Sequence, residues 1–406
     1  MWQKKGMLLT MKDQQRVEVV QALMDSRLTV PQAAHVLGLS ERQVWRLLTR
    51  ARDDGLAGLL HAGRGREPVN KSDQRLWQRV LKLAAEKYRG VNDRHLQELL
   101  AREHSIEVGR ESLRKQLRAA GLEPKRSRRP RKYRSRRERR AAAGMLLQID
   151  ASPHDWLEGR GSLLTLVGVI DDATNRARVR FAEAETTWAY LLLMREVALS
   201  AGLPLALYSD RHDIFHARRE PTLAEQLADR RPLTQFGRAM EELGVHISKA
   251  YSPQAKGRIE RLWGVLQDRL VVELRLAGAA TLTEANRLLD RYLPGHNRRF
   301  AVAPREQAAV WRQAPDARRL DRTLCLKEQR VVGRDHVVSF EGLQLQVPRS
   351  RKFFSLAGRR VDVLQLRDHS IELQYDGEVV ARFSREQLKA LAKRRSRAKS
   401  QPNDRV

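Results

Sequence analysis

A single long helix, predicted over residues 255–270, limits the folds open to this chain more than any other segment. The sequence AKGRIERLWGVLQDRL repeats large apolar side chains at helical spacing, which predicts one buried face. Lys256 and Glu260 lie on a neighbouring stripe together with Gly264 and Gln267, because residues three or four apart share a face of a helix. Glu260 is therefore expected at the boundary between buried and exposed surface. Taken alone, an acidic residue on a helix is usually a solvated surface charge.

Two upstream aspartates each end an apolar run, Asp150 after MLLQI and Asp210 after LALYS. A buried strand that ends in a carboxylate delivers that charge to the edge of a sheet, where a ligand can reach it. If these acids meet Glu260, their repulsion must be offset by cations, and hard Mg²⁺ ions prefer carboxylate oxygen. Two such ions roughly 3.5–4 Å apart can activate an attacking oxygen and stabilise a leaving oxygen in phosphoryl transfer.

Four segments carry a resemblance to a known family: QID at 148–150, LYSD at 207–210, TQFGRAMEELG at 234–244 and YSPQAKGRIERLWGVLQDRL at 251–270. They resemble the retroviral-integrase-like DDE transposases of bacterial insertion sequences, and most closely the ISNCY group, over roughly residues 20–380. The resemblance implies an RNase H-like core, catalysis with two Mg²⁺ ions (Mn²⁺ as a substitute) and DNA as the substrate. Carried over by position, Asp150, Asp210 and Glu260 form the metal-binding catalytic triad, in which Asp150 bridges both ions.

The spacing between the second and third acids is longer than in the commonest integrase pattern. Residues 211–232 read as an inserted polar segment, and Asp213 within it remains an alternative to Asp210. Asp171 and Asp172 follow another apolar run. We interpret them as turn formers whose side chains cap local amides, with a metal role as the alternative.

The charge of the chain points to a polyanionic partner. Lys and Arg outnumber Asp and Glu by 78 to 49, which gives a formal net charge of +29 and favours the phosphate backbone of nucleic acid. A ribosomal-type RNA binder and binding to an anionic membrane surface are the alternatives. No apolar run approaches the ~18–20 residues of a membrane-spanning helix, and no basic helix has a clean apolar face of bulky residues, so no membrane partner is expected. A single cysteine, Cys325, and an N-terminus without a long apolar segment fit a cytoplasmic protein held on bacterial DNA.

Residues 12–60 are predicted to form a helix-turn-helix domain. Ser40 and Gln43 have the spacing of a capping box, which would start its third helix. That helix should expose side chains suited to reading base edges in a major groove, namely Arg42, Gln43, Arg46 and Arg50. A small three-helix module that binds protein is the alternative.

A second helical unit and two basic linkers complete the N-terminal part. Residues 71–122 repeat the three-helix plan as a second helix-turn-helix domain, whose third helix should expose Arg110, Arg114, Lys115 and Arg118. Residues 61–70 form a Gly-rich basic linker in which Arg64 and Arg66 could enter an A·T-rich minor groove, with a plain flexible linker as the alternative. Residues 123–144 form a basic linker expected to follow phosphates through Arg128, Arg129, Arg131 and Lys132, with a nuclear-import signal as the alternative.

The remaining chain alternates strand and helix patterns and then changes to strands alone. Residues 145–275 are expected to form the RNase H-like α/β catalytic core, in which Lys256 and Arg258 contact phosphate near the metals. A helical extension over 276–320 would present Arg298 and Arg299 to DNA. Residues 321–385 contain five short strands and predict an SH3-like β-barrel, followed by a basic tail over 386–406 without regular structure.

These assignments predict a multidomain α+β protein with N-terminal helix-turn-helix modules, an RNase H-like core and a small C-terminal β-barrel. The function they favour is that of a DNA transposase, acting as a homodimer or higher oligomer, that binds the terminal inverted repeats of its element. It would cleave the 3′ ends and join them to double-stranded target DNA. A non-catalytic DNA-binding regulator and a metal-dependent endonuclease that cuts without joining are the alternatives.

Overall fold

The computed structural model describes residues 10–60, 73–125, 137–227, 229, 231–249, 253–349 and 352–400. The chain divides into two units, Met1–Lys82 and Leu83–Val406. None of the helices in the described ranges is both long and apolar enough to cross a membrane.

The first unit is built from short helices with strong start signals. α1 (Met11–Met24), α2 (Val30–Leu37) and α3 (Glu41–Asp54) each begin with a capping box, in which the N-cap residue and the third helical residue bond each other's backbone N–H groups. Gly38 ends α2 with φ at 63°, a left-handed conformation that glycine adopts without a Cβ penalty. The predicted capping box of Ser40 and the predicted turn between the last two helices are therefore confirmed.

Further helices lead into the second unit. A 3-10 turn (Leu56–Leu59) follows α3, and α4 (Gln74–Ala85) crosses the boundary between the units. The second unit then begins with α5 (Asp93–His104) and α6 (Arg110–Ala119). Five leucines of these two helices are buried, namely Leu96, Leu99, Leu100, Leu113 and Leu117.

The centre of the second unit is a five-stranded mixed sheet. Its strands are β1 (Leu147–His154), β2 (Leu164–Asp171), β3 (Ala177–Ala182), β4 (Ala206–Ser209) and β5 (His246–Lys249). They lie in the order β3-β2-β1-β4-β5, with the first three strands antiparallel and with β4 and β5 parallel to β1. Three antiparallel strands followed by two parallel ones is the order expected of an RNase H-like core.

Helices cover both faces of this sheet. α7 (Thr187–Ser200) and α9 (Gln235–Glu242) share one apolar core with the sheet, while α10 (Pro253–Leu276) and α11 (Leu282–Phe300) share the other. β2 is buried at every position, because a strand in the middle of a sheet with two covered faces has no solvent side. The short helix α8 (Leu223–Leu227) lies in the segment that the sequence marks as an insertion.

The C-terminal part differs from the predicted closed barrel. After α12 (Ala317–Thr323) the strands are β6 (Leu326–Val331), β7 (Val337–Phe340), β8 (Leu343–Gln346), β9 (Arg360–Gln365), β10 (Ile371–Tyr375) and β11 (Glu378–Phe383). They form a four-stranded sheet in the order β11-β10-β9-β6 and a separate β7–β8 hairpin, so within the described residues no hydrogen-bonded closure is found. Both sheets nevertheless share one apolar core.

One detail of this region follows from the sequence and two do not. The dipeptide Asp376-Gly377 favours a hairpin turn, and the turn is present, with Asp376 at φ 50° and Gly377 at φ 75°, the positive values that a type I′ turn requires. β6 is an additional strand that the alternation pattern did not predict. The prediction that the basic tail has no regular structure is wrong for residues up to Ser400. They form the helix α13 (Arg385–Ser400), because Leu388 and Leu391 give it an apolar side that packs on the C-terminal core.

Candidate active site and nucleic-acid interface

The register between two parallel strands brings the first two acids level. Gln148 in β1 pairs with Tyr208 in β4. Two residues further along both strands stand Asp150 and Asp210, at the ends of the apolar runs. Since parallel strands advance together, both carboxylates emerge at the same height and side of the sheet. Asp150 and Asp210 therefore lie near each other because each stands two residues after a member of the same strand pair, Gln148 and Tyr208.

One buried lysine joins the two carboxylates. The Lys256 ammonium donates a hydrogen bond to Asp150 Oδ1 at 2.8 Å and lies 3.6 Å from Asp210 Oδ2. The other oxygen of Asp210 accepts from the backbone N–H of His212 at 3.0 Å. Lys256 is only 8% exposed, whereas the Asp210 side chain is 47% exposed. The two aspartates therefore share a single cation at the edge of the sheet, with Asp210 on the solvent side.

The second oxygen of Asp150 is held by a tryptophan that the sequence suggested only as a core residue. Trp263 Nε1 donates to Asp150 Oδ2 at 3.0 Å. Gly168, which lies opposite Asp150 in the antiparallel register of β2, makes room for this indole. A Cβ atom at Gly168 would lie 2.6 Å from Trp263 Cη2. The signal that could have identified Trp263 is its position three residues after Glu260, on the same side of α10.

Glu260 lies one helical turn beyond Lys256 but does not join the aspartates in this arrangement. Its side chain is exposed, and within the described residues it makes no hydrogen bond or ion pair. No group of three or more His, Cys, Asp or Glu side chains with metal-binding geometry occurs in those residues either. Asp213, the alternative to Asp210, pairs with Arg218 instead. The donor set nevertheless suits a hard divalent ion, since two carboxylates already converge on one positive charge.

The two acids after β2 have structural roles of different kinds. Asp171 accepts from the backbone N–H and the hydroxyl of Thr174, both at 2.8 Å, so its interpretation as a turn former is confirmed. Asp172 is fully buried and binds Arg137, Arg258 and the Gln148 amide. It is an ion-pair centre inside the core, which the turn interpretation missed.

Asp172 also corrects the expectation for Arg258. The Arg258 guanidinium donates to Asp172 Oδ1 at 2.8 Å, and its side chain is 9% exposed. Burial lowers the pKa of Arg258, and the Asp172 carboxylate opposes that effect. A guanidinium enclosed in this way faces the protein interior, so Arg258 anchors the start of α10 and does not present a charge to phosphate.

Apart from Arg118, the other predicted DNA contacts fall into two groups. The first lies on exposed surface, as expected: Arg42, Gln43, Arg46 and Arg50 on α3, Arg110, Arg114 and Lys115 on α6, and Arg298 and Arg299 on α11. Within this group, Gln43 uses its side-chain oxygen in the capping box with Ser40, and Arg114 and Arg299 pair with Glu111 and Glu98. The second group lies outside the described residues: Arg64, Arg66, Arg128, Arg129, Arg131 and Lys132.

Arg118 departs from its predicted place on an exposed face. Its guanidinium bonds both oxygens of Asp93, at 2.7 and 3.0 Å, and the carbonyl of Leu122 at 2.6 Å. The arginine therefore ties the end of α6 to the start of α5. Helical periodicity placed Arg118 on the face of α6 that points away from the leucines. It could not show that Asp93 of the preceding helix would bind the guanidinium on that face.

A cluster of ion pairs fastens α5 to α10 inside the second unit. Glu273 is 8% exposed and accepts from His95 Nε2 at 2.9 Å and from Arg102 Nη2 at 2.8 Å. Burial alone would raise the pKa of Glu273, but the hydrogen bonds from His95 and Arg102 hold it at about 2. One turn earlier on α10, Arg269 pairs with Glu98 of α5 at 2.6 Å. The sequence analysis did not identify this contact, because its members are about 170 residues apart.

The strand order and the N-terminal helices define a protein with an RNase H-like core and a helix-turn-helix domain. Residues 16–75 match a family model described as "Winged helix-turn helix". The transposase homologue y4bF of Sinorhizobium fredii is 37% identical over 370 residues, which are 90% of this chain and 79% of that protein. The transposase for insertion sequence IS1202 of Streptococcus pneumoniae is 30% identical over 366 residues, 82% of this chain and 77% of the relative. The chain therefore belongs to the family of insertion-sequence transposases.

Solved structures of lower similarity include retroviral integrases. The HTLV-2 integrase catalytic core domain in complex with magnesium is 15% identical, covers 36% of this chain and 84% of its own, and has a TM-score of 0.28. A simian T-cell lymphotropic virus intasome in complex with a PP2A regulatory subunit is 13% identical, covers 75% and 99%, and has a TM-score of 0.34. Both TM-scores are too low to carry weight, so the fold assignment rests on the strand order.

Proposed function

We propose that this transposase is catalytically active and uses Asp150, Asp210 and Glu260 to hold two divalent cations, Mg²⁺ or Mn²⁺, against a scissile phosphodiester. The observation that carries the proposal is the level position of Asp150 and Asp210 around one positive charge. Metal ions bound there would activate an attacking oxygen and stabilise a leaving oxygen. Glu260, exposed and one turn from Lys256, supplies the third carboxylate from α10.

The chain's own residues divide the remaining work. Trp263 holds Asp150 in one orientation from α10. The exposed arginines of α3 are suited to read the bases of the terminal inverted repeats, and α6 offers a second basic face for the same DNA. The reaction is 3′-end cleavage by water followed by attack of the freed 3′-hydroxyl on target DNA, so no serine or tyrosine nucleophile is required. Because two distant ends must meet, we propose a homodimer or a larger assembly on DNA.

The substitution Asp150→Asn tests the proposal. The variant should bind inverted-repeat DNA like the wild type but lose cleavage and strand transfer by at least about a thousandfold, because several kcal/mol of transition-state stabilisation depend on the metals. The assay uses element-end DNA, a supercoiled target and Mg²⁺. Asp290→Asn, the same change at an exposed position on α11, serves as the control and should stay active.

The same assay separates the alternatives. Cut ends without joined products would identify a metal-dependent endonuclease, and binding without cutting would identify a DNA-binding regulator. Equal activity of Asp150→Asn and the wild type would refute the catalytic assignment.

A further inference from the structure

Lys256 is a buried charge placed between two acids that are proposed to hold metal. A buried ammonium is costly unless it is paired, and two facing carboxylates are costly unless a cation separates them. Lys256 lies 2.8 Å from Asp150 and 3.6 Å from Asp210, so its charge is paired and the repulsion between the two carboxylates is offset. The three side chains therefore stabilise one another in the protein without metal.

The same carboxylate oxygens are the donors that a hard divalent cation would take. Mg²⁺ binds carboxylate oxygen at about 2.0–2.1 Å, so an ion on Asp150 and Asp210 would stand within a few ångström of the ammonium. Two positive charges at such a distance repel each other, and the repulsion is stronger in a partly buried site than in water. Lys256 and a divalent cation would therefore compete for the same carboxylate oxygens of Asp150 and Asp210.

We propose that Lys256 is a resident counter-cation that holds Asp150 and Asp210 together in the metal-free protein and must leave them before a divalent cation binds. The proposal rests on the proposed function of this site. The ammonium is carried on a flexible four-carbon stem, so it can leave while α10 stays in place. The residue is a positioning residue, since it acts through the two aspartates.

The exchange links metal binding to DNA binding. A displaced ammonium needs a new anion, and a phosphate oxygen of DNA at the same edge of the sheet provides one. DNA should therefore raise the affinity of the wild-type protein for metal, and metal should raise its affinity for DNA by the same factor, because such coupling is reciprocal. Without the lysine charge the coupling should shrink.

The test is a calorimetric titration of the full-length protein with MgCl₂ or MnCl₂, with and without inverted-repeat DNA. Lys256→Met should bind the metal at least about tenfold more tightly than the wild type in the absence of DNA, a change of about 1.4 kcal/mol. Lys256→Arg keeps the charge and should keep the wild-type affinity. Lys327→Met removes a lysine that pairs with Glu242 at 3.0 Å and should also leave the affinity unchanged.

The outcomes are separable from those of the proposed function. Unchanged or weaker metal binding by Lys256→Met would overturn the proposal that Lys256 is a counter-cation. If Asp150→Asn abolishes metal binding while Lys256→Met gains nothing, only this inference fails. If Asp150→Asn leaves metal binding intact, the ion binds elsewhere and the proposed function fails with it. Should circular dichroism show that Lys256→Met does not fold, Lys256→Gln, which keeps a hydrogen-bond donor without the charge, carries the same expectation.

Discussion

The orientation of Asp150 depends on partners that come from one helix. Lys256 binds one oxygen and Trp263 the other, so rotation of the carboxylate would break a bond on either side. The indole reaches the acid because Gly168 has no side chain at the position opposite Asp150. A residue that resembles an ordinary core tryptophan in the sequence therefore positions a proposed metal ligand.

Trp263→Phe should lower the rate of cleavage while leaving DNA binding unchanged. The variant keeps an aromatic ring but loses a hydrogen bond to a charged acceptor, worth about 1.5–3 kcal/mol, so we expect kcat to fall by roughly 10- to 100-fold. Single-turnover cleavage and the KM for DNA measure the two quantities separately. Trp156→Phe, which removes a buried indole whose N–H donates to the Ser152 carbonyl, is the control for lost packing. Equal losses in both variants would show that Trp263 acts through packing alone.

At the level of whole elements, α10 has two tasks at its two ends. Its N-terminal half brings Lys256 and Trp263 to Asp150, while its C-terminal half binds α5 through Arg269 and Glu273. The helix that bears the proposed third ligand is therefore fastened to the helical module that precedes the core in the chain.

Glu273→Gln should loosen α5 specifically. The neutral amide loses charge-assisted hydrogen bonds with His95 and Arg102, and we expect the free energy of local opening to fall by about 2 kcal/mol. Amide hydrogen exchange of residues 93–104 measures this opening. Glu107→Gln, an exposed acid in the same module, is the control and should leave the exchange unchanged.

The pH dependence of the same exchange has a definite sign. The pKa of Glu273 is held at about 2, below its ordinary value of 4.5, so its contribution is present above pH 4.5 and is lost as the pH falls toward 2. Protection of α5 in the wild type should therefore decrease between these values, and the decrease should be smaller in Glu273→Gln. An identical decrease in both proteins would show that another group is responsible.

For the molecule as a whole, the excess of positive charge determines how it meets DNA. The net charge is +29, and exposed arginines occur in both units, on α3 in the first and on α6 and α11 in the second. Some arginines, such as Arg118 and Arg258, are instead neutralised by ion pairs within the protein. Binding should therefore weaken steeply with salt, since each neutralised phosphate adds about 0.9 to the slope of log K against log salt.

Removing two exposed charges from α6 tests whether the second module binds DNA. The double change of Arg110 and Lys115 to Ala should reduce the salt slope by about 1.8, two phosphates' worth, and weaken binding of inverted-repeat DNA. Fluorescence anisotropy at several salt concentrations gives the slope. Replacing Arg287 and Arg291 on α11 removes the same charge from another exposed face. If both double substitutions lower the slope equally, α6 contributes to DNA binding only through the overall charge of the protein.

The sequence by itself determined the features that depend on neighbours in the chain. Capping at Ser40, the turn at Gly38, the Asp376–Gly377 hairpin and the end of β4 just before Asp210 all follow from local hydrogen bonding and hydrophobic period. Asp150 ends an apolar run but not its strand, because β1 continues to His154. The transposase motifs around Glu260 are likewise a property of the linear sequence, and they indicated the family before any fold was known.

Only the tertiary structure decided which side chains meet. Lys256 and Arg258 are both cations at the start of one helix, yet one lies between the aspartates and the other is enclosed by Asp172. That difference depends on how α10 docks across β1, and the pairing of Asp150 with Asp210 depends on the register of β1 with β4. The separate sheets of the C-terminal part have the same origin. Contacts between residues distant in the chain are selected by packing, and no local pattern records their outcome.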